Sequence, residues 1–176
     1  MRKELIILSL SSFFMACNSA VPTEKPVTAV SYFDLKGYMA KEAGRLNAAM
    51  PLISKTVLVD TAAESKSIKI ADWNKEFSVF SDADINKSAW KGLFVVTRTE
   101  YEDSYKSDND KVPVKSLVIH HKNGKVKSIK ILISNTNSLY SSNDTLSYYP
   151  DSLYEIRKMQ HIKLLNEKIY RITGKF

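Results

Sequence analysis

Cysteine is almost missing from this chain: one residue, Cys17, in 176. A single thiol excludes an internal disulfide framework and any cysteine-based metal cluster. Glycine and proline are sparse, five of each, and there is no internal repeat, low-complexity tract or glycine-rich phosphate loop. Histidine occurs three times, at 120, 121 and 161, and no Gly-x-Ser-x-Gly or His-Glu-x-x-His pattern is present. Acidic residues are absent from 111 to 143, a stretch that carries six lysines. Apolar runs are short. The longest, Leu5 to Met15, falls below the roughly 20 residues that a helix needs to cross a bilayer.

That run has the length of a signal-peptide core, and Arg2 and Lys3 precede it. Phe14-Met15-Ala16-Cys17 closes it with a small residue directly before the only cysteine. The arrangement resembles the lipobox of bacterial lipoproteins. The resemblance implies removal of residues 1–16, a diacylglycerol on the Cys17 thiol and further acyl chains such as palmitate. Each buried methylene contributes about 0.8 kcal/mol, so several chains anchor a protein firmly. Loss of Arg2, Lys3 and Glu4 lowers the formal net charge by one from +7. Residues 17–30, with Pro22 and Pro26 and no clear periodicity, read as a lipidated N-terminus and flexible tether. Residues 31–176 are then one domain.

Ser31-Tyr32-Phe33-Asp34 has the form of a capping box. Leu35, Tyr38 or Met39, Leu46, Met50 and Ile53 follow at helical spacing, which predicts a helix of about four turns ending near Pro51. Two alternating runs, 55–60 and 66–71, predict a hairpin. Asp72 reads as the cap of a second helix bearing Trp73, Phe77 and Phe80 on one face, with a further turn from Asp84 to Gly92. The rest reads as strands at 93–105, 112–121, 125–134, 138–142, 145–149, 153–162 and 168–173. Asn123-Gly124 is a strong hairpin turn signal, and Asn143-Asp144 reads as punctuation. The expected fold is α+β: an N-terminal helix, a β-hairpin, a second helix, then a curved antiparallel meander of about five to seven strands. Both faces of several strands are partly apolar. The sheet is therefore expected to curve upon itself and shelter a second apolar surface.

Candidate chemistry is thin. His120 and His121 point to opposite faces of a regular strand and cannot share one metal ion, and nothing at ligand spacing supports a pairing with His161. Asp108-Asn109-Asp110 after Glu102-Asp103 lacks the glycine and closing glutamate of a calcium loop. No cofactor or metal is expected. Lys115, Lys122, Lys125, Lys127 and Lys130 form a candidate anion-facing patch for lipid headgroups or acidic glycans. The plainer reading, which the sequence favours, is that these lysines solubilise exposed strands and block edge-to-edge pairing. Stacking aromatics are not interleaved with them, and nucleic acid is not an expected partner. Tyr140, Tyr148, Tyr149 and Tyr154 fit either a groove rim or ordinary core positions.

Tyr32–Tyr38, Asp72–Phe77 and Asp84–Trp90, together with the lipobox cysteine, resemble small lipoproteins of Bacteroidota. The resemblance implies an envelope lipoprotein, in the outer membrane in preference to the inner, because Asn18 stands where an aspartate retention signal would stand. It carries one functional position, Cys17, and no activity. The first expectation is a non-enzymatic binding or assembly module, tethered to the membrane and engaging another envelope protein, an anionic lipid or a glycan. The alternative is a carrier of lipid or small hydrophobic ligands with a half-barrel cavity. A glycan-acting enzyme ranks below both: it requires two carboxylates about 5–10 Å apart, and no pair in the sequence recommends itself.

Overall fold

The computed structural model describes residues 32–176. The expected signal peptide and tether, Cys17 and Ser31 lie outside the described residues. Helix α1 (Leu35–Ala49) is capped by Asp34, whose carboxylate accepts from the Gly37 amide at 2.8 Å. Leu35, Met39, Ala43 and Leu46 recur on one face and are buried. The helix stops at Met50, which adopts a left-handed conformation (φ 43°) and donates to the Leu46 carbonyl before Pro51. Strands β1 (Leu52–Val59) and β2 (Ala62–Lys69) then form a hairpin.

The expected second helix is two short pieces, α2 (Trp73–Glu76) and α3 (Ser78–Asp82). Asp72 does cap α2, accepting from the Asn74 and Lys75 amides. The backbone leaves helical values at Phe77 (φ −92°, ψ 7°), yet Trp73, Phe77 and Phe80 are all fully buried. Beyond them, the 84–92 turn is a short 3₁₀ segment at Ser88–Trp90. Asp84 does not cap it; its carboxylate accepts from the Asn86 side chain instead.

The remaining strands are β3 (Val95–Arg98), β4 (Glu102–Lys106), β5 (Val114–Lys122), β6 (Lys125–Thr136), β7 (Tyr140–Tyr149), β8 (Leu153–Ile162) and β9 (Lys168–Lys175). Residues 93–105 are not one strand. Thr99 breaks them into a hairpin: its hydroxyl accepts from the Tyr101 and Glu102 amides, and its own amide bonds to the Glu102 carbonyl. Conversely, Asn143-Asp144 is no break. It runs through β7, held between the ladders of β6 and β8, with Asp144 opposite Lys158. Two flanking strands override local turn preference there. Asn123 and Gly124 (φ 52° and 68°) make the expected two-residue turn.

All strands among the described residues join one antiparallel sheet of nine, in the order β2-β1-β9-β8-β7-β6-β5-β4-β3. The sheet exceeds the expected five to seven strands because β1 pairs with β9, which welds the early hairpin to the meander. The helices lie on one face. The core row there runs Tyr105–Leu117–Ile131–Leu146–Ile156–Ile172–Val57 across the register. The other face carries Val118, Lys130, Ser147, Glu155, Thr173 and Thr56 in its corresponding row. The expected second apolar surface is therefore not built: polar side chains occupy most of that face, and Leu132 and Met159 stand exposed on it. No helix among the described residues is long and apolar enough to cross a membrane.

Candidate functional site

The core row changes character along its length. Tyr105, Leu117, Ile131 and Leu146 are at most 1% exposed, Ile156 and Ile172 are half-buried, and Val57 is 39% exposed. Along this row the helix layer covers β4–β7, and the apolar side chains emerge from beneath it at β8, β9 and β1. A cleft of about 540 Å³ opens there. Ile68, Ile156 and Ile172 form its floor, and Val79, Lys75 and Glu76 form the wall that α2 and α3 supply. A smaller hollow of about 180 Å³, lined by Val57, Glu64, Lys66 and Ile68, shares Lys55 and Ile68 with it. The volume of the larger cleft falls within the range of small-ligand sites, whereas the smaller hollow is below that range and mostly charged.

One end of the cleft is polar. Lys55, alternating with Ile53 and Val57 on the helix-side face of β1, places its ammonium 2.6 Å from the Glu76 carboxylate. The same carboxylate oxygen accepts from the Tyr154 hydroxyl. Burial, and then the Glu76 carboxylate, hold the Tyr154 hydroxyl protonated well above the usual tyrosine range. The ring of Tyr154 lies over Gly174 on the neighbouring strand, where any Cβ would overlap it. Trp73 stacks on Phe176 and meets Tyr154 edge-on, closing this end.

The deep space between helices and sheet is filled. Trp73, Phe77, Phe80, Tyr148 and Tyr154 occupy it in edge-to-face and tilted contacts with centroids 5.2–6.4 Å apart. A ligand therefore has the open cleft beside this cluster, not an enclosed cavity within it. Tyr148 and Tyr154 belong to the core, whereas Tyr149 is exposed and Tyr140 accepts from the Gln160 amide.

The lysine patch is not one surface. Lys115 sits at the start of β5 and donates to the Asn109 carbonyl, while Lys122 ends the same strand. Lys130 belongs to the face away from the helices. Lys122 and Lys125 do meet, as register partners beside the Asn123-Gly124 turn, and Lys127 is two residues on. Lys125 also lines a polar groove of about 400 Å³ with Tyr38, Lys41, Arg45 and Asp151. There Arg45 is bound by Glu42 and Asp151, each at 2.8 Å. Burial and the Glu42 charge push Tyr38 up to about 12.

Two histidines face acids of β4: His121 hydrogen-bonds with Asp103 at 3.3 Å, and a ring nitrogen of His120 lies 3.5 Å from the Glu102 carboxylate. His161 is three strands away on β8. Asn109 is occupied with its own loop, accepting from the Lys111 amide. Among the described residues, no three His, Cys, Asp or Glu side chains group as metal ligands would. Cys17 lies outside the described residues.

Sequence reasoning missed the cleft and its polar end. The one local signal was Lys55, a charge between Ile53 and Val57 on what alternation makes the buried face. No family model, curated protein or solved structure matches this chain.

Proposed function

We propose that the protein is a lipid-anchored binding module of the bacterial cell envelope, tethered through Cys17, that holds a single-chain amphiphile in the cleft beneath α2 and α3. The acyl chain lies along Ile68, Ile156 and Ile172, and the polar head sits at the charged mouth by Lys55, Lys66 and Lys75. The observation that carries this reading is the emergence of the core row from under the helices, which leaves apolar floor open to solvent beside fixed charges. Each methylene that the floor fully buries contributes about 0.8 kcal/mol, so affinity rises up to about fourfold per added methylene until the floor is covered.

The test uses the full chain, lipidated and reconstituted in nanodiscs, with a diazirine-bearing monoacylglycerol. Photolysis is expected to label the peptides that contain Ile68, Ile156 and Ile172, and Ile68→Glu is expected to abolish that labelling. Labelling that ignores Ile68→Glu, or that falls on other surfaces, overturns the cleft assignment. Intact mass of protein extracted from its native membranes tests the anchor separately: residues 17–176 plus acyl groups are expected, and an unmodified Cys17 refutes it.

A further inference from the structure

The two edges of the sheet are unequal. One edge, β3, has four residues, and its short length limits what can pair with it. The other, β2, runs for eight residues in unbroken register with β1, with no proline, glycine or bulge. Among the described residues, its outer backbone groups face no other strand of the sheet. A long regular edge of this kind is a template for another strand.

The sequence of β2 reads sensibly against itself. In an antiparallel pairing of two copies about a two-fold axis at Ser65, Glu64 stands opposite Lys66 and Lys66 opposite Glu64. Ala63 then meets Ser67, and Ala62 meets Ile68. Glu64 and Lys66 already lie 2.7 Å apart on the same face of one chain, so pairing two copies makes an alternating square of four charges. Opposite charges directly across an antiparallel pair stabilise it, and like charges destabilise it. A shift of one residue puts Lys66 opposite Ser65 and sets the Ile68 side chains of the two copies on opposite faces of the joined sheet, so the charge pattern also fixes the register.

We infer that β2 is a self-association edge: two copies of this chain pair antiparallel through β2 about Ser65 and form one continuous sheet of twice the width. The partner is a second copy of this chain, identified by the charge complementarity of β2 with itself. The pairing also places the two Ile68 side chains, one from each copy, on the same face as the two clefts.

Residue 65 on the axis meets its own counterpart, and residue 63 does not: the two copies of Ala63 are separated by about four residues of strand, roughly 13 Å. Ser65→Cys and Ala63→Cys are therefore compared in the full chain in its native membrane, under mild oxidation, with the wild type as control for Cys17. A disulfide dimer is expected with Ser65→Cys alone. Equal cross-linking of both variants, or none with either, overturns the proposal. Adding Glu64→Lys to Ser65→Cys is expected to cut the dimer about three- to tenfold, and adding Lys66→Glu as well is expected to restore it. Dimer yield indifferent to this charge reversal and its repair refutes the register. Circular dichroism on each variant separates loss of pairing from loss of folding.

Discussion

Tyr148 and Tyr154 are register partners on β7 and β8, and each sends its hydroxyl to a glutamate on a different helix. Tyr148 donates to Glu42 of α1 at 2.6 Å, and Tyr154 donates to Glu76 of α2. One cross-strand pair thus fixes both helices to the sheet. Its acceptors are charged groups that cannot be left unpaired near the core without cost.

Tyr148→Phe and Tyr154→Phe keep the packed rings and remove only the donors. A hydrogen bond to a charged group contributes about 1.5–3 kcal/mol, and each variant is expected to lose an amount in that range by urea denaturation. Glu42 and Glu76 retain Arg45 and Lys55 respectively, which holds the losses toward the lower end. A loss below about 0.5 kcal/mol in both variants shows that the tyrosine donors do not secure the helices.

Gly174→Ala places a methyl group where the Tyr154 ring lies. Tyr154 must then turn away from Glu76, so a destabilisation of about 1–3 kcal/mol is expected, as for other overpacked cores. The double variant Gly174→Ala/Tyr154→Leu should recover part of it. Denaturation of the two singles and the double gives the coupling, and simple additivity contradicts the contact.

Stability should fall at both ends of the pH scale. Burial opposes ionisation of Glu42, but hydrogen bonds from Arg45 and Tyr148 outweigh it and lower its pKa. A lowered pKa in the folded state contributes stability that is present above the unfolded value, near 4.3, and is lost as pH falls further. At the alkaline end, burial and the neighbouring glutamates raise Tyr148 and Tyr154. Their contribution is complete below the unfolded value of about 10 and is lost as pH rises above it. Glu42→Gln should therefore flatten the acid limb of a stability profile, and the double Tyr→Phe variant the alkaline limb. Limbs identical to wild type exclude these groups.

Local signals read well in this sequence. The spacing of Leu35, Met39 and Leu46, the Asp72 cap and the Asn123-Gly124 turn each act within a few residues, and each appears in the fold. Errors came where distant strands decide. Asn143-Asp144 favours a turn in isolation but lies between β6 and β8, and the Thr99 turn has neither glycine nor proline to announce it. The pairing of β1 with β9 joins residues more than a hundred positions apart, and no local pattern specifies it. The cleft was hidden for the same reason: Ile68, Ile156 and Ile172 become neighbours only through that pairing. Within the lysine stretch, composition gave the charge but not its division between the two ends and two faces of a hairpin.

The position of β9 between β8 and β1 also sets an order of events during synthesis. The β3–β8 meander can form as it emerges, because each strand meets its predecessor. The β1–β2 hairpin, made much earlier, has no place in the sheet until β9 arrives to bridge it, and Trp73 waits for Phe176 in the same way. Until then the hairpin and its open edges are a hazard for aggregation, so a chaperone that shields early segments has the most to do here. Removing β9 therefore leaves a meander and a stranded hairpin, with no cleft between them.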